Sequence, residues 1–232
     1  MTFSNLLLML PQEAGETAGV INGLVARFNE GGQWMWPILI CLIIGLAISF
    51  ERIIMLNLAN INTKKFLAKV KSALNNSVSE AEEVCANTRG PVASVFAAGL
   101  TRNDEGIEAV EKAVVSYGSI EMSFLEKGLV WISLMISLAP MFGFLGTVIG
   151  MVEAFDAIEQ AGDISPSLVA GGIKVALLTT VFGLIVAIIL QTFYNYAMSK
   201  VDGIVVDMEE ASIELVDALV AKNAGKEIPG AE

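Results

Sequence analysis

The residues with the most promising chemistry are threonines inside otherwise apolar stretches. Thr147 lies in one such stretch, and Thr179 and Thr180 lie in another. Neither stretch, 128–152 or 175–199, contains Asp, Glu, Lys or Arg, and the chain has no His. A hydroxyl can donate and accept hydrogen bonds but does not titrate near neutral pH. These threonines could therefore line an ion pathway, where they could solvate an ion but could not relay protons alone.

Two interpretations of the threonines remain open from spacing alone. If the stretches are antiparallel membrane helices, Thr147 and Thr180 both lie roughly 8–9 Å below the same membrane boundary, at about 1.5 Å per residue. At that depth they could face a common polar pathway. Each could instead donate its hydroxyl to the carbonyl four residues earlier on its own helix.

Small residues accompany the threonines at helical spacing. They recur four residues apart, a pattern that lets membrane helices approach closely. We expect packing positions at Gly143, Gly146, Gly150, Ala176 and Gly183. Pro140 cannot donate to the carbonyl of Ile136, so a kink or local opening is expected there.

Charged residues lie near one end of these stretches. Lys174 is expected to extend its ammonium group to the outer interface, and a place at a pore mouth is the alternative. Glu153 and Asp156 make the connection between the stretches acidic. They could concentrate cations near an entrance, or they could simply form a solvated acidic turn.

The composition indicates what must hold these residues in place. Of 232 residues, 54% are hydrophobic and 17% are charged, and the mean hydropathy is +0.65. Charge-free stretches longer than about 18 residues predict membrane helices. We expect an all-α integral membrane protein with three transmembrane helices at 31–56, 128–152 and 174–199.

The remaining segments are expected to lie outside the membrane. They are a periplasmic segment with an amphipathic helix at 1–30, a cytoplasmic helical domain at 57–127, a periplasmic connection at 153–173, and a cytoplasmic helix and tail at 200–232. Nine Lys and Arg residues fall between the first charge-free stretch, which ends at Phe50, and the second span, and one precedes the first stretch. Because cytoplasmic loops are enriched in these residues, the N-terminus should face outward and the C-terminus inward.

Helical patterns also predict local features of the cytoplasmic part. Apolar residues repeat every three or four positions over 106–127 and lead into the second span, which predicts one continuous rod. The same spacing beyond Lys200 predicts that the third span also extends into the cytoplasm. Ser79 and Glu82 match a capping box. Gly90-Pro91 is typical of a helix stop.

Several classes of function are disfavoured. A net charge of −11 argues against nucleic-acid binding. The sequence shows no phosphate-binding loop, no nucleophile with an adjacent base, and no metal-ligand set. We expect neither an enzyme nor a metal or cofactor site.

Two motifs resemble a known family. Leu138-Ala139-Pro140 followed by 142–151 resembles the second-span signature of the MotA/TolQ/ExbB proton channel family, and 176–184 resembles the third-span motif. Glu51-Arg52 and Gly90-Pro91 also fit. Three spans with an outward N-terminus are similar to ExbB and TolQ rather than to the four-span flagellar MotA.

The resemblance implies a bacterial inner-membrane channel, a homopentamer around the single helices of an ExbD- or TolR-like partner. That partner's membrane Asp would carry the proton, and the protonmotive force would drive work on a periplasm-spanning protein such as TonB or TolA. Thr147 and Thr180 match the family's pore-facing threonines, and Pro140 matches its span-two proline. Val175 stands where ExbB and TolQ usually have Glu.

Other functions compete with this expectation. The subunit could belong to a sodium-driven or gliding-type motor stator. It could also be a structural membrane scaffold, with small residues serving only oligomer packing.

Overall fold

The computed structural model describes residues 19, 22–162, 166–226 and 228, and within these residues the chain is helical without any strand. Residues 22–30 are helical, and the rest of the expected N-terminal segment, apart from Gly19, lies outside the described residues. The helices that follow are α1 Met35–Ala59, α2 Thr63–Asn76, α3 Val78–Ala86, α4 Pro91–Leu100, α5 Ile107–Glu126, α6 Leu129–Ala161 and α7 Pro166–Asn223.

Three helical runs, containing α1, α6 and α7, are long and apolar enough to cross a membrane. In the most apolar 18-residue segment of each run, only 22–28% is buried inside the chain. Large apolar side chains such as Val130, Phe144 and Ile188 are exposed. A continuous helix satisfies its own backbone hydrogen bonds, so such surfaces are stable in lipid. Over the described residues the protein is therefore an all-helical membrane protein, as the charge-free stretches predicted.

One compact unit comprises residues 1–47 and 132–192. Its core is formed by α1, the main part of α6 and the first half of α7. The buried residues of this core are Met35, Ile38, Cys41, Ala139, Val186 and Leu190. Gly45 leaves room for the side chain of Leu190, whose terminal carbons would lie 2.5–2.7 Å from a Cβ atom at that position.

A second compact unit comprises residues 48–131 and 193–232. Here α2 to α5 pack with the C-terminal part of α7 around Phe96, Leu74 and Leu215. The amphipathic stripe of α5 contributes Val110 and Val114 to this core. The buried side chain of Lys71 binds Glu214 at 2.6 Å.

Two local predictions are corrected by the structure. The expected rod is interrupted between α5 and α6, where Lys127 is extended (ψ 129°) and Gly128 has a φ of +90°. Non-glycine residues rarely adopt such a φ, so Gly128 permits this turn. The cap of α3 is Ser77 rather than Ser79, since the Ser77 hydroxyl accepts the backbone N–H of Glu80 at 3.0 Å.

The Gly90-Pro91 pair separates α3 from α4. Gly90 has a φ of +125°, and Pro91 occupies the first turn of α4. Proline is well suited to this position because an N–H group in the first turn of a helix has no carbonyl partner within that helix, so its loss costs little.

Candidate functional site

The candidate site lies where α6 and α7 approach each other through their backbones. A Cβ atom added to Gly143 would lie 2.8 Å from the carbonyl oxygen of Thr179 and 3.2 Å from the Cα of Thr180. Backbone atoms cannot rotate away as side chains can, so no larger residue fits at position 143 without moving a helix.

Other small residues extend this contact along both helices. An added Cβ at Gly150 would lie 2.9 Å from the Gly172 carbonyl oxygen, and one at Gly183 would lie 2.6 Å from the Ala139 carbonyl oxygen. Gly146 faces the side chain of Thr179, and Ala176 is buried. Gly172 was not among the predicted positions, although its four-residue spacing from Ala176 is the same signal.

Thr147 and Thr180 meet across this contact. Their Oγ1 atoms lie 2.5 Å apart, and either could be the donor. Thr147 is also within reach of two carbonyl acceptors, Gly143 at 3.2 Å and Ala176 at 3.0 Å. Thr180 can donate to the Gly143 carbonyl at 3.3 Å. Both side chains are only partly buried.

Thr179 differs from the expectation that it lines an ion pathway. Its side chain is fully buried at 0% exposure and can donate to the carbonyls of Ala176 (2.9 Å), Val175 (3.1 Å) and Gly143 (3.2 Å). Its position opposite Gly146 fixes it in the helix contact. Thr179 therefore joins the two helices, and Thr147 and Thr180 are the hydroxyls that keep some exposed surface.

The hydroxyl pair has spare hydrogen-bonding capacity. Each hydroxyl carries one proton and two acceptor lone pairs. The carbonyls nearby belong to helices, so their main hydrogen bonds are already made by the backbone. Rotation about Cβ–Oγ1 can redirect a proton from a carbonyl to another acceptor. The pair can thus donate to an anion or accept from an acid without leaving its own groups unsatisfied.

Pro140 lies within α6, which continues on both sides of it. Ala139 beside it is fully buried against Gly183. The contact between α6 and α7 therefore includes the turn of α6 in which Pro140 cannot donate a backbone hydrogen bond.

The charged residues at the outer end have different surroundings. The Lys174 ammonium binds Glu30 at 2.8 Å, and both side chains are about half exposed. This hydrogen bond, followed by the charges of Lys174 and Arg27, lowers the pKa of Glu30. Glu153 and Asp156 are exposed on α6, which reaches Ala161, and so they lie on a helix rather than in the expected acidic turn.

Within the described residues, no group of three or more His, Cys, Asp or Glu side chains could hold a metal ion. The polar groups at the contact of α6 and α7 are hydroxyls and backbone carbonyls. Those groups favour solvation of a transferred ion or of a carboxyl group.

Comparison with known proteins places these elements in context. The model of the MotA/TolQ/ExbB proton channel family matches residues 87–210, just over half of the chain. This match includes α6 and the contact-forming part of α7.

Relatives with known names extend the match. The chain is 31% identical over 181 residues to a biopolymer transport protein ExbB homologue of Methanothermobacter thermautotrophicus, covering 77% of this chain and 64% of that protein. It is 30% identical over 128 residues to the Tol-Pal system protein TolQ of Haemophilus influenzae, covering 53% and 56%. The chain thus spans less than two thirds of the length of either relative.

A solved structure shares the fold. The structure of C. jejuni MotAB matches with a TM-score of 0.58 over 97% of this chain and 91% of that chain, at 14% identity. At this identity the likeness concerns the arrangement of helices alone.

Proposed function

The chain belongs to the MotA/TolQ/ExbB proton channel family, and on this premise we propose that it is the channel subunit of an ion-driven inner-membrane motor. Relatives named for ExbB and TolQ support this proposal. It would convert protonmotive force into mechanical work on a periplasm-spanning protein, in TonB-dependent uptake or in Tol-type envelope maintenance.

The observation that carries this proposal is the pairing of Thr147 and Thr180 at 2.5 Å between apolar helices. The second and third apolar stretches contain no Asp, Glu, Lys, Arg or His. A titrating group must therefore come from another polypeptide. We infer an ExbD- or TolR-like single-span partner with a membrane Asp, enclosed by a pentamer of this chain.

The hydroxyl pair would serve that carboxyl group in both of its protonation states. A bare carboxylate in an apolar environment is unstable unless donors receive it. Thr147 or Thr180 would donate to the carboxylate form and accept from the protonated form. Thr179, held between the helices, would keep the two hydroxyls in register.

The test replaces the hydroxyl of Thr147 or Thr180 with a methyl group of similar size. We expect Thr147→Val and Thr180→Val to abolish protonmotive-force-dependent uptake in cells lacking the chromosomal copy, while the oligomer still assembles with its partner. Thr147→Ser and Thr180→Ser, which keep the hydroxyl, should retain activity.

Thr192, which lies on α7 together with Thr180, is a matched control. Thr192 also donates to the carbonyl four residues earlier, Ile188, at 2.9 Å, and it is exposed. Thr192→Val removes a hydroxyl outside the site and should leave uptake unchanged. Full activity of both Thr147→Val and Thr180→Val would refute the proposed role.

The same cells can identify the driving ion. Proton coupling predicts that a protonophore stops uptake, whereas withdrawal of sodium at constant membrane potential leaves it intact. Loss of uptake on sodium withdrawal would indicate a sodium-driven stator. Insensitivity to both treatments would indicate a structural scaffold.

A further inference from the structure

Arg52 is a buried cation with an unused donor. It lies in α1 just after the apolar stretch ends, and it is 9% exposed. One terminal nitrogen, Nη2, binds Glu51 at 3.3 Å, but the buried Nε has no hydrogen-bond partner. Lys71 in the same unit is buried to a similar extent and does have a close acceptor.

An unsatisfied donor on a buried charge is unfavourable. Burial removes water from the guanidinium group, and the lost hydrogen bond is not replaced within the chain. A guanidinium group presents its N–H groups in a planar fork that matches phosphate and carboxylate oxygens. An oxyanion from outside the chain would therefore stabilise this buried and weakly paired guanidinium group.

Arg52 lines a pocket of about 240 Å³ that could admit such a group. The pocket also includes Pro91 and Ser94 from the first turns of α4. No side chain caps this helix, since Gly90 precedes it. The N-terminus of a helix carries partial positive charge and favours anions. Two independent features of the pocket thus favour negative charge.

The rim of the pocket is apolar. Met55 and Phe124 line it and are 49% and 57% exposed. If α1 crosses the membrane as its sequence predicts, Arg52 lies at the inner boundary, where phospholipid headgroups meet acyl chains. An apolar rim at this level suits a lipid better than a free ion.

The remaining charged wall residue is Glu121. Its carboxylate disfavours a highly charged anion. A phosphodiester carries one negative charge, whereas a phosphate monoester carries about 1.5 to 2 at neutral pH. Glu121 therefore favours a phosphodiester headgroup over inorganic phosphate, and it could accept a hydrogen bond from a headgroup amine.

We propose that the pocket at Arg52 binds the phosphate group of a membrane phospholipid, with the Arg52 guanidinium group as a donor and the acyl chains along Met55 and Phe124. A free phosphate ion would offer the same oxygen atoms to Arg52. The apolar rim, however, favours a ligand with acyl chains, and so the proposed ligand is the lipid. This site does not depend on ion conduction, so it can be correct even if the proposed function is wrong.

The experiment is native mass spectrometry of the purified protein after delipidation. The protein would be titrated separately with dioleoylphosphatidylethanolamine, dioleoylglycerol and inorganic phosphate. We expect the phospholipid to bind and Arg52→Gln to weaken this binding roughly tenfold or more, because a charge-assisted hydrogen bond is lost. Binding of dioleoylglycerol, which has no phosphate, should not depend on Arg52.

Arg102→Gln is the matched control, since Arg102 is an exposed arginine paired with Glu105 at 3.0 Å. It should bind phospholipid as the unmodified chain does. Ser94→Phe narrows the pocket from an exposed position and should weaken binding even if Arg52→Gln fails to fold.

Phospholipid binding unaffected by Ser94→Phe and by a folded Arg52→Gln would overturn the proposal. Inorganic phosphate that binds in an Arg52-dependent manner while the phospholipid does not would also overturn it.

Discussion

At the scale of single residues, burial decides which side chains can react. Cys85 is 2% exposed in the core of α2 to α5 and the end of α7. Burial, and then the negative charge of Glu82, raise the pKa of its thiol from 9.0 to about 12. Because the thiolate is the reactive form, this cysteine should be inert at physiological pH.

We expect Cys85 to resist alkylation by iodoacetamide at pH 8.5 in the folded protein and to react after denaturation. The measurement uses a Cys41→Ala background, so that only one thiol is present. Asn87→Cys in a chain that lacks both native cysteines is the control, because position 87 is exposed and should react quickly. Equal rates at positions 85 and 87 in the folded protein would contradict the described core.

The same pKa has a consequence for stability. Between pH 9 and about 12 the unfolded chain releases the thiol proton while the folded chain retains it. The contribution of Cys85 to stability is therefore complete below pH 9 and falls as the pH rises. Cys85→Ala should lessen the loss of stability over this alkaline range, as measured by urea unfolding at several pH values.

At the scale of elements, the contact between α6 and α7 tolerates no added atoms. Gly143→Ala would place a methyl group 2.8 Å from the Thr179 carbonyl oxygen. We expect a loss of about 1–3 kcal/mol, typical of overpacking, and a lower midpoint of thermal unfolding in detergent.

Gly171→Ala provides the opposite case on α7. A Cβ atom there meets nothing within 4 Å. Alanine is the better helix former by about 0.5–1 kcal/mol, so this variant should be neutral or slightly stabilised. If both alanine variants unfolded at the same temperature, the close approach at Gly143 would be in doubt.

The cap of α3 allows a second comparison between neighbouring positions. Ser77→Ala removes a hydroxyl that accepts the Glu80 N–H and should cost about 1 kcal/mol. Ser79→Ala alters an exposed position inside the helix and should have little effect. Chemical unfolding of the two variants would measure the difference, and a larger effect at Ser79 would favour the cap suggested by the sequence.

These elements show what local patterns could and could not predict. The small residues of α6 and α7 were found because four-residue spacing alone defines one helix face. The cap was misplaced because Ser77 and Ser79 are each followed three residues later by Glu, and only the end of α2 at Asn76 selects the first. The break at Gly128, with its φ of +90°, was missed because the apolar repeat runs through it without a local signal. The Arg52 guanidinium group, which would lie 2.6 Å from a Cβ atom at position 128, is 76 positions away in the sequence.

The hydroxyl site was predictable in part. Depth along two antiparallel helices placed Thr147 and Thr180 at one level. The burial of Thr179 depends on the rotation of α7 against Gly146, which spacing does not specify. The partner of Lys174 was also missed, because Glu30 lies 144 residues earlier and no local pattern links them.

At the scale of the whole molecule, the predicted orientation can be tested with single cysteines. Ala161 ends α6 and Asn87 follows α3, and both are exposed. In a chain without its native cysteines, we expect Ala161→Cys to react with a membrane-impermeant maleimide in spheroplasts. Asn87→Cys should react only in inverted membrane vesicles. The reverse pattern would overturn the outward N-terminus and the inward helical domain.

The carbonyl-to-glycine contacts at Gly143, Gly150 and Gly183 also restrict how the protein can move. Ordinary helix pairs can slide by switching rotamers, but main-chain atoms pressed against main-chain atoms have no rotamers to switch. Where these contacts form, α6 and α7 are therefore expected to move together as one body. If the proposed ion-driven movement takes place, it should alter the contacts that this helix pair makes with other surfaces, and an inhibitor should be directed at those surfaces.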